Sequence, residues 1–216
     1  MKDEAKQDAK EKLIRSAIEV FAEQGYRGGK IADIVKGAGA NIAAVNYHFG
    51  SKDQLFVEAL RQAYRDADEV YPSDGGLGGG ASAGERISAL ARAVLRRSFD
   101  GGRAGNFNRI MSRTMNVVGS PVEMILGEVE QFELRDLSAA LGEYLETDSE
   151  QLIGWAVAVF ISLAAMISKC PDGAKQRIFR NGMDTQPKQS QVDAMIDSQV
   201  EAVFAALDAL PKDFPE

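Results

Sequence analysis

One cysteine and one histidine stand among the 216 residues of this chain. The lone Cys170 has no partner for an internal disulfide and suits a reducing compartment. It precedes Pro171 after an apolar run, with no histidine nearby, which points to an inert thiol rather than a nucleophile. His48, being single, cannot build an imidazole metal cluster or an acid–base pair with another histidine. No enzyme, cofactor or metal site is expected. β-Branched runs of period two are scarce, so the class expected is all-α, with about nine helices. The most apolar run, residues 152–167, is shorter than the roughly twenty residues of a membrane span. It carries a small-residue face of Gly154, Ala158 and Ser162, and is expected to be a helix buried on all sides, at the domain centre and a subunit contact. Residues 73–84, SDGGLGGGASAG, lack the lysine and the preceding strand of a phosphate-binding loop and read as a flexible surface loop. The first twelve residues, MKDEAKQDAKEK, hold no apolar signal core, so a cytoplasmic location is expected.

What the chain does contain is a 45% hydrophobic composition, enough for a real core, and a formal charge of −7. That charge runs against the basic footprint of a nucleic-acid binder, but it is unevenly spread. Residues 1–65 hold 11 Lys and Arg against 9 Asp and Glu, so the remainder carries −9. Between Lys30 and Lys52 the only acid is Asp33. The acidic bulk behind such a face would repel non-specific DNA contact.

Residues 31–56, IADIVKGAGANIAAVNYHFGSKDQLF, organise the reading. Ile31, Ile34, Val35 and Ala38 form one helical stripe, and Gly39 follows where a left-handed residue ends a helix. Asn41 is placed to cap a second helix, with Ile42, Val45 and Phe49 inward. Ala43, Ala44, Tyr47 and His48 then face out, with Asn46 on the flank. Gly50 breaks that helix, and Ser51 with Gln54 spells a capping box for the next. Helix, glycine turn, helix is the pattern of a DNA-reading helix-turn-helix; it is equally the pattern of an αα-corner in an ordinary core.

The residues around it decide between these. FAEQGYRGGKIADIVKGAGANIAAVNYHFGSKDQLFVEAL closely resembles the N-terminal domain of TetR-family transcriptional regulators. Phe21, Gly25-Tyr26, Ile31, Ile34, Ala38-Gly39, Tyr47-His48-Phe49, Ser51-Lys52 and Leu55 carry the resemblance, which covers residues 10–65. Asn46 before Tyr-His-Phe and the helix after it look like the CerR-like branch. Two departures stand out: Gly28-Gly29-Lys30 where the family usually has Thr or Ser before the second helix, and Asn46 where it often has Tyr.

The resemblance implies a three-helix DNA-binding domain over residues 1–55 and an effector-binding and dimerisation domain over residues 56–216. It implies Lys30, Asn41, Ala43, Ala44, Asn46, Tyr47, His48 and Lys52 at double-stranded, near-palindromic operator DNA. It also implies a homodimer, through expected helices 149–169 and 190–210, and a repressor released by a small effector. Phe107, Met111, Met115, Phe132 and Trp155 are candidates to line a cavity for a hydrophobic or aromatic compound, although core packing is the better reading of each taken singly. Arg113 suits a polar or anionic group on that ligand, or a surface ion pair. The rival to this reading is a helical binding module without specific DNA binding; an enzyme built on the cavity is third.

Along the rest of the chain, the first helix is expected over 8–24, ended by Gly25, and the fourth from Ser51 to about Tyr71. Ser82 with Glu85, and Thr147 with Glu150, are read as helix-opening pairs, and Ser190 as the cap of the last helix.

Overall fold

The computed structural model describes residues 2–114, 127–128, 134–164 and 188–211. Among the described residues there are nine α-helices and no strand. They are α1 Lys2–Gly28, α2 Ile31–Gly37, α3 Ile42–Phe49, α4 Lys52–Val70 and α5 Ala83–Phe99, then α6 Asn106–Thr114, α7 Arg135–Tyr144, α8 Glu150–Ala164 and α9 Gln189–Asp208, with a 3-10 turn at Arg103–Gly105. None of these helices is long and apolar enough to cross a membrane.

The chain forms two compact units: Met1–Val70 with Gly101–Val129, and Tyr71–Asp100 with Glu130–Glu216. Packing therefore groups all of α4, and α6 with it, with the N-terminal helices, and does not cut the chain at residue 55.

The first unit is built on helical stripes that meet. Leu13, Ala17 and Phe21 of α1 face Leu55, Phe56, Ala59, Leu60 and Ala63 of α4, all fully buried. Phe21, Tyr26 and Phe56 form an aromatic cluster, with Phe56 edge-on to both neighbours at ring separations of 5.0 and 5.1 Å. Edge-to-face geometry directs the positive ring edge at the negative face. α1 begins earlier than expected and runs past Gly25, whose φ of 68° and ψ of 177° interrupt it at the expected place. α6 packs on α1 and α4, putting Phe107 against Tyr64 with ring centres 5.3 Å apart. Arg61 of α4 grips Glu128 with two hydrogen bonds, of 2.7 and 2.8 Å.

In the second unit, Ile87, Leu90, Ala91 and Leu95 of α5 meet Leu137 and Leu141 of α7, Ala156 and Phe160 of α8, and Ile196, Val200 and Val203 of α9. The expected Ser82–Glu85 capping box opens α5, each side chain reaching the other's backbone N–H. The buried Arg97, near the end of α5, fastens the start of the loop that precedes this helix, its Nη2 donating to the Tyr71 carbonyl at 2.7 Å and to Ser73 Oγ at 2.8 Å.

Two caps lie two residues from the expected position. α8 is opened by Ser149, whose hydroxyl accepts from the Leu152 N–H at 3.3 Å, while Thr147 accepts from Ser149 N–H and orders the turn. Thr147 N–H is itself drawn back to the Gly142 carbonyl at the end of α7, so its residue belongs to the preceding helix end. α9 starts at Gln189 rather than after Ser190, because the Lys188 N–H donates to Gln191 Oε1 at 2.8 Å and draws the helix start forward.

Candidate nucleic-acid interface

α2 ends in a hydrogen-bonded turn that the backbone itself dictates. Gly39 N–H donates to the Lys36 carbonyl and Ala40 N–H to the Val35 carbonyl, the paired bonds of a Schellman motif. The motif needs a left-handed residue, and Gly39 supplies it with φ of 63°. Asn41 then caps α3 as expected, its side chain accepting from the Ala44 N–H at 3.0 Å. Ser16 of α1 donates to the Ile34 carbonyl at 2.8 Å and holds α2 in place from behind. Ser51 Oγ accepts from the Gln54 N–H at 3.2 Å and starts α4.

α3 buries Val45 and Phe49 and turns its other residues outward. Asn41, Ala43, Asn46 and Tyr47 are exposed, while Ala44 and His48 are half-buried. Tyr47 is 69% exposed, and its ring meets His48 edge-on at 5.0 Å. Ile42, expected inward, is 55% exposed. It lies at the first helical position, ahead of the middle and end of α3 where Val45 and Phe49 meet the core, so the periodicity that placed it inside has nothing there to pack it against.

The departure before α2 has a steric cause. A Cβ on Gly29 would lie 2.8 Å from Phe21 Cδ1 and 3.0 Å from the Gly25 carbonyl, so no hydroxyl-bearing side chain fits at that position without displacing the core. The N-cap of α2 is Lys30, in extended conformation with no side-chain cap bond, and its ammonium-bearing chain is exposed.

Lys52 is half-buried at the start of α4, its Nζ 4.5 Å from the centre of the Tyr26 ring. Burial lowers its pKa from the usual lysine value, and the neighbouring Asp53 carboxylate opposes that shift. Tyr26 in turn donates its hydroxyl to Asp53. Burial, then that hydrogen bond and the carboxylate charge, push the Tyr26 phenol up to about 12. The group thus ties the end of α1 to the start of α4 and sets the direction of Lys52.

Lys30, Asn41, Ala43, Ala44, Asn46, Tyr47, His48 and Lys52 are therefore all on the α2–α3–α4 segment of one unit. Two residues outside that set approach α3 from α1: Lys6 Nζ lies 5.1 Å from the Tyr47 ring centre and Lys10 Nζ 5.9 Å from that of Phe49. The signal for them was present in sequence, since they continue backwards, at spacings of three and four, the stripe that buries Leu13 and Ala17.

Of the residues considered for an effector, Phe107, Met111 and Arg113 belong to the first unit and Trp155 to the second. Phe107 is buried in the core of the first unit, Met111 is half-buried against that core, and Arg113 is exposed with its Cβ near Gly25. Trp155 belongs to the other unit and is 56% exposed on α8. Met115 and Phe132 lie outside the described residues.

Residues 13–59 match the model of the bacterial regulatory proteins, tetR family. The HTH-type transcriptional repressor NicS of Pseudomonas putida is 34% identical over 61 residues, 28% of this chain and 29% of that protein. The chain thus matches less than a third of that relative's length. In fold, the chain is similar to a transcriptional regulator FadR from Bacillus subtilis solved with stearoyl-CoA, at a TM-score of 0.62, 15% identity and coverage of 89% of this chain and 96% of that one. It is similar also to a cysteine-substituted form of the TetR family regulator CifR, solved with operator DNA of 26 base pairs. That likeness has a TM-score of 0.57, 20% identity and coverage of 92% and 95% of the two chains.

Proposed function

We propose that this chain, whose residues 13–59 carry the N-terminal domain of the TetR family, is a cytoplasmic, sequence-specific DNA-binding transcriptional regulator that acts as a repressor. The observation that carries this reading is the outward face of α3. A short helix stands on a Schellman turn and an Asn cap, with its small and hydrogen-bonding residues open to solvent. Such a helix enters the major groove, where Asn46 pairs with a base edge and Tyr47, His48, Lys30 and Lys52 hold phosphate. The exposed Ile42 adds an apolar contact of the kind thymine methyl groups accept. The names of NicS and of the operator-bound CifR support the DNA-binding and repressor parts. The Asn46-Tyr47-His48-Phe49 run supports the CerR-like branch. A regulator, not a catalyst, also accounts for the sole histidine standing on the reading helix.

The active species is a homodimer. α8 is apolar nearly all round, yet in the single chain only Leu152, Ala156, Phe160 and Ala164 are buried. Gly154, Trp155, Ala158, Ile161 and Ser162 face solvent. On α9 the exposed side carries Ala194, Ser198, Ala202, Ala205 and Ala209. Small residues on two neighbouring helices allow the close approach of a second copy, and the apolar ones among them need it. Residues 1–55 read DNA and residues 56–216 bind effector and dimerise. The effector is a small hydrophobic compound, a class to which the acyl chain in the FadR structure belongs. Met111, Met115 and Phe132 are its candidate contacts, with Arg113 for a polar group. Its binding stabilises a spacing of the two heads that no longer fits the operator.

Selection from a random duplex library tests the reading. The expected product is a near-palindrome with half-sites about 34–36 Å apart, bound with a strong salt dependence. A chain that enriches no sequence and binds all duplexes equally would leave a helical module without specific DNA recognition.

A further inference from the structure

From Lys6 to Lys12 α1 is helical with no residue buried, and the first core residue is Leu13. The helix therefore runs about 10 Å ahead of its core over that stretch, at 1.5 Å per residue. A helix that is polar all round persists when local pairs hold it or when it spans to something else. Local pairs are present here: Lys12 with Asp8 at 2.6 Å and Gln7 with Glu11 at 3.0 Å.

Those pairs use one side of the helix only. At about 100° per residue, Asp8, Glu11 and Lys12 point away from the stripe that holds Lys6, Lys10, Leu13 and Ala17. That stripe faces the core at Leu13 and Ala17, and its continuation puts Lys6 over the exposed Tyr47 ring and Lys10 near Phe49. A ring face attracts an ammonium without neutralising it. Two lysines four residues apart also repel each other, a cost that an anion between them removes.

We infer that the overhanging N-terminal turns of α1 are a second DNA-contacting element, in which Lys6 and Lys10 bind backbone phosphates of the duplex beside the groove that α3 enters. The occupant follows from charge and continuity. Lys6 adjoins Tyr47, which stands on the outward face of the reading helix, and Lys10, one turn along α1, adjoins Phe49 at the end of that helix. Asp8 and Glu11, the acids between Lys6 and Lys12, face elsewhere. This inference rests on the DNA-binding reading above. Lys6 and Lys10 act on affinity and carry no sequence information, since phosphates are the same at every base pair.

The test uses the full chain, the duplex it selects from the random library, and a random-sequence duplex of equal length. Lys6→Met and Lys10→Met together keep the aliphatic stems on the rings and remove both charges. The slope of log K against log salt is expected to fall by about 0.9 per lysine in each protomer, on both duplexes, with the preference between them unchanged. Lys6→Arg with Lys10→Arg should retain the parent slope. Lys12→Met, on the paired far side, should also retain it. Parent-like slopes in the double Met variant would overturn the inference alone. So would an equal loss in Lys12→Met, or loss in the Arg variant with an unchanged thermal melt. A parent chain that binds neither duplex would overturn the regulator reading and this extension together.

Discussion

α3 and α8 are both helices with one face buried and one face open, and the two open faces differ in kind. On α3 the exposed residues are Ile42, Ala43, Asn46 and Tyr47, and the last two bring hydrogen-bonding side chains. Past the first turn of α8, with its exposed Glu150 and Gln151, they are Gly154, Trp155, Ala158, Ile161 and Ser162, with no charge among them. The first face is already satisfied by water and can exchange that water for base edges and phosphate. The second offers water little to bond, and burying such a face against another apolar surface is favourable. Exposure alone therefore says little about function; the chemistry of the exposed atoms says which kind of partner completes each helix.

The largest expected effect lies behind the reading face. Phe56 is fully buried and edge-packed on both Phe21 and Tyr26. Phe56→Ala should cost about 3–5 kcal/mol in urea unfolding and remove DNA binding with it. A variant that loses DNA binding at unchanged stability would instead place Phe56 in the recognition chemistry. Next is Ala158→Asp on the open face of α8. In the single chain a surface position of this kind costs within about 0.5 kcal/mol, whereas a charge buried unpaired between two copies costs about 3–5 kcal/mol. The expected result in sedimentation is a folded monomer, or a dimer weakened by two or more orders of magnitude. A fully dimeric variant would move the contact off α8.

A smaller effect is expected at the base of α3. Asn41→Ala removes the bond to the Ala44 N–H and should cost about 1 kcal/mol of stability by urea denaturation, with the dimer unaffected. Equal weakening of dimer and head would break the contrast between the two faces. The smallest effect at neutral pH is that of Tyr26→Phe. The phenol of Tyr26 is raised in the folded chain from 10.0 to about 12. The stability this represents is fully present below pH 10 and is lost as pH rises through about 12. Tyr26→Phe should therefore flatten the fall in stability over that alkaline window, read as thermal midpoint against pH. An unchanged alkaline profile would assign the fall to other groups.

Local chemistry made much of the head legible in sequence. Gly39, Asn41 and Ser51 act on hydrogen-bond partners no more than four residues away, so their roles can be read from spacing. Ser82 and Glu85 are legible for the same reason. The misplacements arose where a neighbouring element competed. Ile42 has the right period for burial, but the core ends before it reaches that position. Thr147 has the right type for a cap, but the end of α7 claims its backbone.

Composition and short-range patterning by themselves determined the helical class, the turn and cap of α3, and which of its side chains carry hydrogen-bonding chemistry. Only the tertiary structure decided that α6 joins α1 and α4, which puts Phe107 in a core, and that α8 is covered on one side, which leaves Trp155 open. It also brought Lys6 and Lys10 to the rings of α3, across some forty residues of sequence. The physical reason is range: a cap or a left-handed turn is settled by atoms within one helical turn, whereas burial depends on which distant helix arrives to cover a face, and periodicity gives the face without naming what covers it.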